Sequence, residues 1–167
     1  MLTIGGSATV TGNTIQDGSS NGGAGGIGNY GTLILNGRAS VTGNSAPGSN
    51  GGGIATDIDA GPTTIGGQVI VSGNTASQGG GILNSGGSTL TLAGSASVSH
   101  NTASSPGGGI WNVGTLALGG RATVSFNTAP PGTDSGGGIY TYAGAVTSGV
   151  VAGFGGNVFG NKPDGTN

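Results

Sequence analysis

Apolar and polar residues alternate along this chain in short bursts, never in long stretches. Leu2/Ile4, Leu33/Leu35, Leu90/Leu92 and Leu116/Leu118 form Leu-x-Leu pairs or their equivalent, and Ile65 keeps half of such a pair in a third copy. A second alternating set is Ala8/Val10, Ala39/Val41, Val69/Val71, Ala96/Val98 and Ala122/Val124. The valine in second place of each pair has an asparagine three positions on: Asn13, Asn44, Asn74, Asn101 and Asn127, with a weaker copy at Val158/Asn161. The third marker is an isoleucine after a glycine pair, at Ile27, Ile54, Ile82, Ile110 and Ile139, with spacings of 27, 28, 28 and 29. Alternation at period two is the mark of a strand, whose side chains point to opposite faces in turn. Clusters of Gly, Asn and Ser separate the bursts and supply turn chemistry. Each period therefore predicts three strands and three turns.

A period near 28 with three strands and no helical spacing predicts coils of a parallel β-helix, each hydrogen-bonded to the next about 4.8 Å away. Leucine-rich repeats would need far more leucine, and propeller blades a fourth strand and a longer period. The expected architecture is all-β, a single-stranded solenoid of about five to six coils. It forms one domain over residues 1–167, with 143–167 as a degenerate terminal coil and tail. The Ala/Val sets, the Leu-x-Leu pairs and the isoleucine column are the predicted inward residues, each resting on a like residue in the next coil. Asn13, Asn44, Asn74, Asn101, Asn127 and Asn161 are expected at a fixed corner. Asparagine tolerates the left-handed conformation of a sharp turn, and its amide can donate to and accept from the same group one coil away.

"GGGI" paired with "VTGN", "VSGN" and "VSHN" resembles the Gly-Gly-Ala-Ile and Phe-x-x-Asn repeats of chlamydial polymorphic outer membrane proteins and related bacterial surface β-helices. The resemblance spans nearly the whole chain. It departs in having Val at every Phe position and in having no autotransporter barrel within this sequence. It implies a right-handed coil and a secreted, surface-displayed segment used in adhesion, and hence an extracellular or cell-surface location.

Composition narrows the chemistry. Of 167 residues, 43 are Gly, only three are basic and five acidic, and the net charge is -2. No basic patch exists to attract nucleic acid or an anionic membrane surface. There is no Cys, hence no disulfide or thiolate site, and no apolar run approaches membrane-spanning length. Polysaccharide lyases and hydrolases built on β-helices need clustered carboxylates beside basic groups. Here there is no Glu, and Asp57 and Asp59 form the only close acidic pair, in the inserted loop "ATDIDAGPTT". Arg38 and Arg121 share one column (Ser7, Arg38, Gln68, Ser95, Arg121) but lie three coils apart, too far for one clamp. His100 is the only histidine, and one His makes no metal site. The glycine runs have no Lys or helix after them and are poor phosphate cradles. The expectation is no enzyme, no cofactor and no metal.

Two outward features remain. The residue after each repeat isoleucine runs Gly28, Ala55, Leu83, Trp111, Tyr140, and His100 and Phe126 take the corner slot that holds Gly in earlier coils. Tyr30 and Tyr142 lie just beyond the first of these columns. These aromatics form either a structural ladder or a platform for a glycan or other cell-surface ligand, centred on Trp111, Tyr140, Phe126 and His100. The residues flanking each inward valine run Thr9/Thr11, Ser40/Thr42, Ile70/Ser72, Ser97/Ser99 and Thr123/Ser125. This flat hydroxyl array resembles the Thr-x-Thr face of β-solenoid antifreeze proteins, which implies ice binding. The leading expectation is a non-enzymatic surface, adhesin-like or self-assembling scaffold module, with end-to-end association through uncapped coils. Ice binding is the alternative, and a divergent polysaccharide-binding or polysaccharide-active β-helix the third.

Overall fold

Each of the three alternating sets becomes one wall of a solenoid. The computed structural model describes residues 1–16, 23–132, 136–142, 145–146, 158–159 and 161–162. Most of the predicted terminal coil, 143–167, lies outside the described residues. Among those described, every paired strand is parallel to its neighbour in the next coil, and there is no helix. The leucine sheet has six strands: Leu2–Ile4, Leu33–Leu35, Thr63–Ile65, Thr89–Leu92, Thr115–Leu118 and Ala145–Val146. The valine sheet also has six: Thr9–Thr11, Ser40–Thr42, Ile70–Ser72, Ser97–Ser99, Thr123–Ser125 and Val158–Phe159. The isoleucine sheet has five, Ile27–Asn29, Ile54–Thr56, Ile82–Asn84, Ile110–Asn112 and Ile139–Thr141. The chain is therefore an all-β solenoid of about five turns with roughly 28-residue spacing.

Register explains how so little bulk makes a core. Ile27, Ile54, Ile82, Ile110 and Ile139 pair in sequence down one wall. Val10, Val41, Val71, Val98, Val124 and Val158 do the same on another. From the second coil onward the inward Ala, Val, Leu and Ile side chains are buried and form one continuous cluster. Burying each Val, Leu or Ile side chain contributes about 1.5–3 kcal/mol. Because each contact recurs one coil on, stability is nearly a sum of nearest-neighbour terms. In the first coil Ala8 is exposed, and Ile4 and Val10 are only partly buried, because Leu2–Ile4 and Thr9–Thr11 are edge strands.

Two details differ from the period-based expectation. A fourth, shorter ladder pairs Ser45–Asn50, Thr75–Gln78 and Thr102–Ala103 between the valine and isoleucine walls. Its inward members Ala46, Ala76 and Ala103 are buried, and a register shift after Ala76 absorbs the extra Pro47 and Gly48 as a bulge. The slot left empty in the third Leu-x-Leu pair is filled by Thr63, fully buried between Leu33 and Leu90. Its hydroxyl is satisfied by the Asn29 amide, which donates to Thr63 Oγ1 at 2.9 Å.

Candidate functional site

The corner after the valine sheet carries a buried asparagine ladder on its inner side and a cluster of exposed aromatic rings on its outer side. Its interior half is the asparagine ladder. The main-chain N–H and Nδ2 of Asn74 both donate to Oδ1 of Asn101, at 3.0 and 2.9 Å, while Nδ2 also donates to the Val41 carbonyl at 3.0 Å. Asn44, Asn101 and Asn127 repeat this pattern toward Asn74, Asn127 and Asn161. Asn13 starts the series, donating to Asn44, and is itself exposed. Asn161 Nδ2 reaches the Val124 carbonyl. Every interior amide thus uses both donor hydrogens and accepts twice, which removes the cost of burying it.

The ladder explains why the glycine marker accompanies the asparagine marker. A Cβ on Gly53 would lie 2.8 Å from the Gly81 carbonyl oxygen and 3.0 Å from Nδ2 of Asn74. The glycine column lies directly against the amides and leaves no room for a side chain.

The left-handed residue of the corner is not the asparagine, contrary to the expectation from sequence; it is the residue before it. Gly12, Gly43 and Gly73 have φ of 68°, 62° and 65°, and His100 and Phe126 both have φ of 55°. The asparagine keeps ordinary backbone angles because its side chain must point inward to meet the next amide. For a residue with a Cβ the left-handed conformation costs roughly 1 kcal/mol. The His100 and Phe126 rings stack with centroids 5.4 Å apart and planes at 26°. Phe159, which pairs with Ser125, packs edge-on against Phe126 at 5.5 Å and 88°. Stacking of this kind contributes about 0.5–1.5 kcal/mol, comparable to the backbone cost. All three rings remain exposed, Phe126 by 50%.

Trp111 and Tyr140 belong to a different wall. They are register partners on the outward face of the isoleucine sheet, continuing the column Gly28, Ala55, Leu83. In that column Ala55 and Leu83 are buried although they face away from the core, and Trp111 and Tyr140 are half-buried. Nε1 of Trp111 is buried without a hydrogen-bond partner among the described residues. Tyr30 and Tyr142 are largely exposed, and Tyr30 lies over Gly28. The four aromatics singled out from sequence therefore fall on two surfaces. Phe159 joins the corner pair; its signal was "VFGN", a Phe in the flanking slot filled elsewhere by Thr or Ser.

The hydroxyl array occupies the outward face of the valine sheet in register. One column runs Thr9, Ser40, Ile70, Ser97, Thr123 and the other Thr11, Thr42, Ser72, Ser99, Ser125. Ile70 stands 46% exposed in the first, and Ser125 is buried at the end of the second, beside Phe126 and Phe159. Thr42 and Thr11 share a hydroxyl hydrogen bond of 3.3 Å.

The charged groups are scattered. Asp57 accepts the Ile58 N–H at 2.8 Å, and Asp59 holds φ of 57° in the same exposed loop. Arg38 donates to Gln68 Oε1 at 3.1 Å, in its own column. Among the described residues no three His, Cys, Asp or Glu side chains gather as a metal site, and no helix is long and apolar enough to cross a membrane. A second buried polar ladder escaped the sequence reading. Thr56 donates toward Asn84, Asn84 Nδ2 donates to Asn112 Oδ1 at 2.7 Å, and Asn112 closes on the Gly114 carbonyl. Its signal was the polar residue two after the repeat isoleucine. No family model matches the chain, and neither a curated protein nor a solved structure matches it.

Proposed function

We propose that this solenoid is a non-enzymatic extracellular surface module, an adhesin-like or self-assembling scaffold, whose contact point is the corner formed by His100, Phe126 and Phe159. The observation that carries this reading is the exposure of stacked rings at two left-handed positions where three other coils use glycine. The fold itself does not require rings there, since the glycine corners build the same ladder. The resemblance to the repeats of chlamydial polymorphic outer membrane proteins supports surface display. Replacing both rings with glycine (His100→Gly with Phe126→Gly) is expected to abolish adhesion of protein-coated beads to cells while leaving the solenoid folded. Undiminished adhesion of the double variant would remove this contact point. For the scaffold form, the open edges Leu2–Ile4 and Thr9–Thr11 pair with a further coil. A molecular mass that stays monomeric across a wide concentration range in light scattering would exclude it.

Ice binding is the second reading, supported by the two in-register hydroxyl columns of the valine sheet. Their rungs repeat about every 4.8 Å. Thr42→Tyr places a bulky ring in the middle of the array and is expected to abolish crystal shaping if this face meets ice. Wild-type protein that neither shapes crystals nor slows recrystallisation would exclude the reading.

A further inference from the structure

The corner column is a step. On its C-terminal side His100 stacks on Phe126, so one imidazole face is covered. The other face looks toward Gly73, which has no side chain to meet it. The floor beyond is open: a Cβ on Gly73 would find only the Gly43 amide nitrogen, at 3.9 Å, one on Gly43 only Thr11 Oγ1, at 3.8 Å, and one on Gly12 nothing within 4 Å. Three glycines in successive coils give this floor a length of roughly 10 Å. Along its edge runs the hydroxyl column Thr11, Thr42, Ser72, Ser99. Thr42 donates its hydroxyl hydrogen to Thr11 Oγ1, but the hydroxyls of Ser72 and Ser99, beside the imidazole, engage no other protein group among the described residues.

We propose that this step binds a neutral saccharide ring, stacked on the open face of His100 and hydrogen-bonded through its rim to Ser72 and Ser99. The proposal rests on the surface-contact reading and names its ligand class. A pyranose has an apolar face of C–H groups and an equatorial rim of hydroxyls, the complement of an exposed ring flanked by free hydroxyls. An aromatic side chain from a partner would match the ring but leave the serine hydroxyls unused. No acidic group of the described residues lies in this column, so nothing here selects a cation. The saccharide continues the ladder by occupying the place that a ring at position 73 would take.

His100 is the only histidine, so its ring C–H resonances report on this face without assignment ambiguity. Titrating the whole protein with uncharged oligosaccharides of glucose, mannose and N-acetylglucosamine is expected to shift those resonances saturably for at least one sugar. Gly73→Phe fills the step with a ring in the backbone conformation Phe126 already adopts, and is expected to weaken binding at least tenfold. Ser72→Val, which leaves the corner backbone untouched, is expected to weaken it severalfold and serves if the first variant misfolds. His100 resonances that stay unmoved by every sugar would overturn the proposal, as would full binding by Gly73→Phe. If bead adhesion still depends on His100 and Phe126 while no sugar moves His100, the contact reading stands and the saccharide assignment fails.

Discussion

Two buried polar ladders run along this solenoid, and they are built differently. At the valine corner each asparagine trails its valine by the same interval, so every amide meets the next at the same angle and the pattern of bonds repeats link after link. After the isoleucine wall the members are Asn29, Thr56, Asn84 and Asn112, and each finds a different partner: Thr63, Asn84, Asn112 or Gly114. The difference lies in the length of chain leaving each corner. The connection from the isoleucine wall to the leucine sheet is the pair Val113 and Gly114 in one coil and the six-residue run from Asp57 to Pro62 in another. A constant turn permits an identical ladder, whereas a variable connection makes each amide satisfy itself locally. Regularity in a solenoid is thus a property of each corner separately.

Breaking the regular ladder at its centre should have the largest effect. Asn101→Ala removes the acceptor of two Asn74 donors and leaves the Val71 carbonyl without its amide. The expected destabilisation is about 3–5 kcal/mol in urea unfolding. The second ladder should tolerate the same change better: Asn84→Ala is expected to cost about 2 kcal/mol, since Asn112 and Thr56 keep other partners. Equal losses at the two sites would contradict the distinction between them. Thr63→Val keeps the buried shape but orphans the Asn29 amide, for an expected loss of about 1 kcal/mol. Smallest of all, His100→Gly is expected to stay within about 0.5 kcal/mol of wild type, because relief of the left-handed backbone offsets the lost stacking. A large loss there would make the aromatic corner a structural device and weaken its reading as a contact surface.

Most of the fold was legible in the residues because repetition multiplies each weak signal. A three-residue alternation such as Ser97–Ser99 is ambiguous alone, yet five copies near one spacing leave a parallel solenoid as the consistent arrangement. The candidate site was less legible. Sequence placed Trp111, Tyr140, His100 and Phe126 in slots, but whether two slots share a surface depends on how the coil turns between them. Phe159 was missed because its relation to Phe126 exists only across coils.

By itself, then, the sequence determined the period, three of the strands in a coil and most of the inward set, since alternation and turn residues act locally and recur in every coil. Only the tertiary structure decided the rest: that the left-handed strain sits on His100 and Phe126 and not on the asparagines, that Thr63 enters the core, and that a fourth ladder closes the coil. Those outcomes depend on the distance between one coil and the next. That distance is set by the parallel backbone hydrogen bonds between segments about 28 residues apart, and the glycines and asparagine amides fit within it.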